Sequence, residues 1–373
     1  MAGAPSPPQS TPAPAPAAAR EGRLAFVHGL RGIAAMAVAL FHCYDSTPVS
    51  QRVVSTVSST VDGAMQLGFL GVDLFFVISG FVISLTLYGR LSTAGEWGRF
   101  FVRRQLRLDP PYWTAIAMSI VSALMVNHLR PGTGAPVPSV GDVVAHVFYL
   151  QDFLGIKDIV GVFWTLCLEI QFYLFFGAVV LLFDRSALSG RAFGWIMLPL
   201  YLISIACFWD LLPNVPGLFL WRWFEFFTGV VLFLFWRRQI GGAQLAAYLV
   251  APLAITLVNP ASDNGIAQVT SITLVLIALL FVLAVRTGGL RSWLDRPLLI
   301  YLGNISYSLY LMHAVVGIRL LKLVVRPDAS AAEAWALYVM ALLLSIGASD
   351  VIFRLIERPS MKLSHHMRWR SAT

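Results

Sequence analysis

The stretch Leu30-Arg31-Gly32-Ile33-Ala34-Ala35-Met36-Ala37-Val38-Ala39-Leu40-Phe41-His42 carries two ionisable side chains eleven positions apart, with nothing charged between them. Eleven residues of α-helix turn through about 1100°, three full turns plus roughly 20°, and rise about 16 Å. Arg31 and His42 therefore point the same way from one apolar helix, one near its end and the other deep along it. An ionisable group inside an apolar span is costly and marks a functional site by default. Two on one stripe predict a site that runs along the membrane normal.

The surrounding chain has the composition this reading needs. It is 58% hydrophobic and 12% charged, with a mean hydropathy of +0.74. Soluble domains carry about 25% charged residues, so the chain belongs in a membrane. Its apolar runs are long enough to cross a hydrocarbon core of about 30 Å and are apolar all round, which selects helices over the alternating strands of a barrel. The expected fold is all-α, a polytopic membrane bundle of about ten transmembrane helices. The runs lie near 26–45, 68–88, 111–127, 162–183, 193–212, 217–236, 244–259, 268–286, 298–320 and 333–356, and the seventh is the weakest.

Lys and Arg number eighteen in one alternating set of tails and loops against six in the other. That bias places both termini in the cytoplasm of a multi-pass inner-membrane protein, with Arg31 toward the cytoplasmic end. It also accounts for the net charge of +8 without nucleic acid. Residues 1–23, rich in Pro and Ala, cannot bury enough apolar surface to fold and read as a disordered tail without the core of a cleaved signal. Residues 24–362 read as the membrane domain and 363–373 as a short basic tail. Cys43, Cys167 and Cys207 read as small core residues, and Val140 to Gly155 as a half-apolar outer helix or re-entrant piece.

Several segments can carry chemistry. Arg103, Arg104 and Arg107 precede Pro110-Pro111-Tyr112, where they serve either as a topology signal or as a clamp for a polyanion, since guanidinium forks suit phosphate. Gly71 and Gly80 flank Asp73 and permit close helix approach. Glu169 and Tyr173 share a helix face, as do Ser306, Tyr310 and His313. Arg222 and Glu225 read as a local ion pair, and Glu357 as the partner of a nearby arginine. Asp350 sits where an apolar or small residue is expected. The histidines and cysteines lack metal-ligand spacing, so no metal site is expected.

These pieces in this order resemble the acyltransferase-3 family of integral membrane O-acyltransferases, which includes O-antigen and peptidoglycan acetylases. The likeness rests on His28-Gly29-Leu30-Arg31-Gly32 with His42, Gly71-Val72-Asp73-Leu74-Phe75-Phe76 through Ser79-Gly80-Phe81, Arg103-Arg104 to Tyr112, Phe163-Trp164-Thr165 with Glu169 and Phe172-Tyr173, Gly303 to His313, and Glu357-Arg358-Pro359. It covers about residues 24–362. It implies transfer of an acyl group, usually acetyl, from cytoplasmic acyl-CoA to a hydroxyl of a glycan or glycoconjugate, with no permanently bound cofactor. It also implies that the arginine and histidine pair, here Arg31 and His42, is needed for activity.

On this reading Arg31, Arg103, Arg104, Arg107 and Tyr112 hold the donor. His42 acts on the acceptor with Asp73 or Glu169 setting its proton affinity, and His313 belongs to the catalytic set. Trp164, Tyr173, Ser306 and Tyr310 contact substrate. Some relatives carry a C-terminal extracytoplasmic esterase-like domain that is not seen here, which leaves direct modification or a separate partner. The rival readings are a proton-coupled carrier of a small polar solute and a non-catalytic scaffold.

Overall fold

The computed structural model describes residues 24–87, 93–129, 132, 135–184, 189–259, 265–326 and 328–366. The tail at 1–23 and the last residues of the chain lie outside them. Nine of the described helices are long and apolar enough to cross a membrane: α1 (Ala25–Asp45), α2 (Ser59–Leu87), α3 (Ala94–Leu129), α4 (Trp164–Phe183), α5 (Gly190–Phe208), α6 (Phe219–Trp236), α8 (Gly265–Arg286), α9 (Pro297–Val324) and α10 (Ala331–Ser364). Between α6 and α8 lies the shorter apolar α7 (Gly242–Val258), at the position of the weakest run in the sequence. The protein is an all-α, multi-pass membrane bundle.

Close backbone approach organises it. A Cβ at Gly32 of α1 would lie 2.8 Å from the Gly303 nitrogen of α9, and one at Gly303 would lie 2.3 Å from the His28 carbonyl oxygen. The two helices touch at their backbones because neither side presents a side chain there. Gly80 of α2 packs in the same way on the Phe226 carbonyl of α6, and Gly229 on that of Val77. The small-residue role expected for Gly80 is therefore a specific contact.

Helix α3 begins well before the expected 111, because Pro110 and Pro111 lie inside it. Proline removes backbone donors and usually ends or kinks a helix, yet α3 runs on through both. Here the Tyr307 hydroxyl donates to the Leu108 carbonyl at 2.9 Å and Thr114 donates to that of Pro110 at 2.8 Å. The first bond fastens α9 to α3 beside Arg104 and Arg107. Helix α9 changes pitch into a π turn over His313–Ile318, a rare geometry that recurs at functional sites.

Val140–Val147 forms an outer helix, closed by a capping box between Ser139 and Asp142. The loop after it folds back so that the Ile159 N–H donates to His146 Nε2 at 3.0 Å. Asp350 bonds Arg354 at 2.8 Å, one turn on, which explains an acid within α10. The three cysteines are free and buried.

Candidate active site

Arg31 and His42 share α1 and open onto different cavities. The first cavity holds about 770 Å³ of empty space, its open mouth included, and is lined by Arg31, Arg104, Arg107, Glu169, Ser306 and Tyr310 among others. Arg104 and Arg107 are three residues apart, so one face of α3 brings both to the cavity. Arg103, about 100° round the helix, is not among the lining residues.

Arg104 is held firmly. Its Nη2 donates to the Tyr173 hydroxyl at 2.5 Å and lies 3.4 Å from Glu169 Oε1, and its guanidinium lies over the Tyr173 ring. Tyr173 in turn donates to Glu169, as does Ser79 at 2.9 Å. Glu169 and Tyr173 thus aim Arg104. Arg31 and Arg107 have no hydrogen-bonding or ion-pairing partner among the described residues. Glu357, expected to pair with an arginine, accepts instead from Ser308 at 2.6 Å. Its charge still acts on Arg31 and Arg107 from beyond contact, so three arginines and two carboxylates leave this end of the bundle net positive.

The second cavity is lined by His42, Ser46, Ser122, Val162, Arg319 and Lys322 among others. Among the described residues no carboxylate bonds to His42. Its Nδ1 lies 3.1 Å from His313 Nε2, and His313 Nδ1 lies 3.1 Å from the Leu309 carbonyl oxygen. A carbonyl only accepts, so His313 Nδ1 carries a proton and, with the ring neutral, its Nε2 accepts. His42 Nδ1–H must then donate, which leaves His42 Nε2 with a free lone pair. The relay from Leu309 through His313, with a backbone hydrogen bond to Val38, orients His42, the task usually given to a carboxylate.

Asp73 and Glu169, expected to support His42, are engaged elsewhere. Asp73 is buried and accepts from Arg222 at 2.9 Å and from Thr270 at 3.1 Å, while the same Arg222 nitrogen donates to Glu225 at 2.5 Å. The Arg222–Glu225 pair expected from their spacing is present, with Asp73 as a third member. Phe208 and Trp221 flank the guanidinium at 4.6 Å each. The triad ties α2 to α6 and satisfies buried charge.

A hydrogen-bonded knot joins the walls of the two cavities. Tyr310 and Thr165 line the first, and their hydroxyls lie 2.7 Å apart. Both also approach the carbonyl oxygen of Val162, which lines the second, at 3.1 and 2.9 Å. Tyr310 thus lines the first cavity. Ser306 lines the first cavity and bonds back to Gly303. Tyr112 is buried elsewhere, stacked on Tyr149, and Trp164 stacks on Trp221. Neither lines either cavity. Sequence reasoning missed Thr165 as the partner of Tyr310, and the contact between the two histidines, which lie 271 residues apart.

The loop bordering the second cavity lies outside the spans and holds titratable groups of its own. Burial pushes the Asp152 carboxyl up to about 6, with the nearby Asp158 adding repulsion. Burial lowers the proton affinity of His146, although the Asp142 carbonyl opposes this.

A many-helix membrane bundle with arginines in one internal cavity and an oriented histidine in another is built as a membrane-embedded transferase. The family profile for the acyltransferase domain matches residues 24–354, and the chain belongs to this acyltransferase-3 family. It is therefore a membrane acyltransferase, which decides against the carrier and scaffold readings.

Acyltransferase MdmB of Streptomyces mycarofaciens is 27% identical over 372 residues, covering 91% of this chain and 92% of the relative. Nodulation protein 10 of Rhizobium leguminosarum bv. viciae is 26% identical over 324 residues, covering 79% and 82%. A Staphylococcus aureus MRSA252 protein provisionally named an O-acetyltransferase is 24% identical, covering 82% of this chain and 55% of its own length. No solved structure matches the chain.

Proposed function

We propose that the protein moves an acyl group, acetyl in the simplest case, from acyl-CoA to a hydroxyl of a glycan or glycoconjugate. The observation that carries this reading is the placement of Arg31 and His42 on one stripe of α1, facing two cavities of different chemistry. Arg31, Arg104 and Arg107 suit the phosphates of the donor, as guanidinium forks do. The bias of Lys and Arg among the loops supports a cytoplasmic arginine cavity and cytoplasmic termini. An extended acyl-CoA arm has a reach comparable to the rise of about 16 Å between Arg31 and His42.

At the far end His42 Nε2 accepts the proton of the acceptor hydroxyl as its oxygen attacks the thioester carbonyl. The C–O bond forms, the C–S bond breaks, and the leaving thiolate takes the proton from His42. The knot of Tyr310, Thr165 and Val162 has to part as the thioester arrives.

Vesicles loaded with labelled acetyl-CoA and supplied with acceptor test this. Transfer by the wild type and its loss in His42→Ala, with both proteins folded, is expected. Undiminished transfer by a folded His42→Ala variant refutes the role of His42. Omitting the acceptor separates the steps: label on the protein shows a covalent acyl-histidine, and its absence shows direct transfer.

A further inference from the structure

Two cations share the second cavity with His42. Arg319 and Lys322 lie three apart on α9, so one face of the helix presents both. Arg319 Nη1 donates to the Ser119 carbonyl of α3 at 2.7 Å, which fixes the guanidinium while its other N–H groups engage no described residue. Neither cation has an ion-pairing partner among the described residues, and none of the described residues lining the cavity is acidic. Arg319 is half-buried and Lys322 exposed at the rim of the cavity, and two like charges facing a lining without acids attract an anion. Ser122, Val126 and Leu323 also border an apolar groove that runs along α3 past Met118, Val121 and Met125. Reactive base, cations and apolar groove follow one another without a break.

We infer that Arg319 and Lys322 form an anion subsite for the acceptor, an amphiphile whose phosphate or carboxylate lies between its reacting hydroxyl and its apolar chain. The subsite rests on the reading of His42 as the group that meets the acceptor. The apolar chain lies in the α3 groove, the anionic group meets Arg319 and Lys322, and the hydroxyl reaches His42 Nε2. Neutral amphiphiles enter the same cavity without the charge contact.

The test measures equilibrium binding of octyl glucuronide and octyl glucoside, below their micellar concentrations, to protein in phosphatidylcholine nanodiscs. The two probes differ in one carboxylate. The wild type is expected to bind the glucuronide about tenfold more tightly, the gain of one charge-assisted contact. Lys322→Gln and Arg319→Gln each remove most of that preference and leave glucoside binding unchanged, and Lys322→Arg restores it.

Equal wild-type affinities for the two glycosides overturn the subsite, as do equal losses on both in the variants. In nanodiscs containing phosphatidylglycerol the preference is expected to persist. Its disappearance there assigns the cations to lipid headgroups and overturns the proposal. Because binding is read without turnover, glucuronide preference without acetyl transfer defeats only the transfer reading. Transfer without the preference defeats only the subsite.

Discussion

Replacing His313 tests the relay most directly. The side chain is fully buried and joins His42 to the Leu309 carbonyl through two contacts of 3.1 Å. Each neutral hydrogen bond contributes about 1 kcal/mol net. His313→Ala removes both and leaves His42 only its backbone contact with Val38, with room to rotate into the second cavity. Losing about 1–2 kcal/mol of tautomer and orientation control lowers kcat by roughly 5- to 30-fold. The donor KM should hardly change, since the arginine cavity is untouched. His313→Gln keeps an acceptor oxygen for His42 Nδ1–H and should recover all but about threefold of the rate. The assay is labelled acetyl transfer in vesicles, with folding followed by thermal unfolding in detergent. A folded His313→Ala variant with wild-type kcat refutes the relay. Equal loss in the Ala and Gln variants with reduced unfolding temperature shows a packing role instead.

Arg31→Gln and Arg107→Gln should each raise the donor KM by about tenfold, the loss of one charge-assisted phosphate contact, whereas Arg103→Gln changes it less than about twofold; equal effects at all three positions count against the cavity as the phosphate site. Arg222→Met strands Asp73 and Glu225 without their cation and should cost about 3–5 kcal/mol of stability, read as a fall in unfolding temperature, and an unchanged temperature contradicts the triad. Burial favours the neutral form of Asp152, so its contribution to stability is complete below the ordinary carboxylate range, about 4, and is lost as pH rises through its folded value of about 6. Asp152→Asn should therefore slow hydrogen exchange in the 148–162 loop at pH 7 relative to wild type and leave it unchanged at pH 4; matching rates at both pH values rule this out.

Much of the fold is legible in the sequence because each apolar run announces its own span. The third run is the instructive exception. Pro110 and Pro111 suggest a helix start, yet α3 continues through them, and Tyr307, far along the chain, donates to the Leu108 carbonyl just before them. The site divides on similar lines. The shared direction of Arg31 and His42, the Arg222–Glu225 pair and the facing of Tyr310 follow from helical spacing alone. The partners of Asp73 and His42 do not, because they lie 149 and 271 residues away and no periodicity encodes them. Local spacing also separates Arg104 and Arg107 from Arg103 once the helix is known to continue, a distinction that the assumed break at Pro110 concealed.

The knot of Tyr310, Thr165 and the Val162 carbonyl has an electrical consequence. Where water fills the cavities on each side, an applied voltage falls mainly across this thin layer, as it does across any narrow dielectric between two conductors. An acetyl group is neutral and crosses such a layer without electrical work, whereas a bare charge meets about 2.3 kcal/mol per 100 mV there. Three oxygens closing on one another after each passage would let an acyl group through while the bilayer keeps its potential.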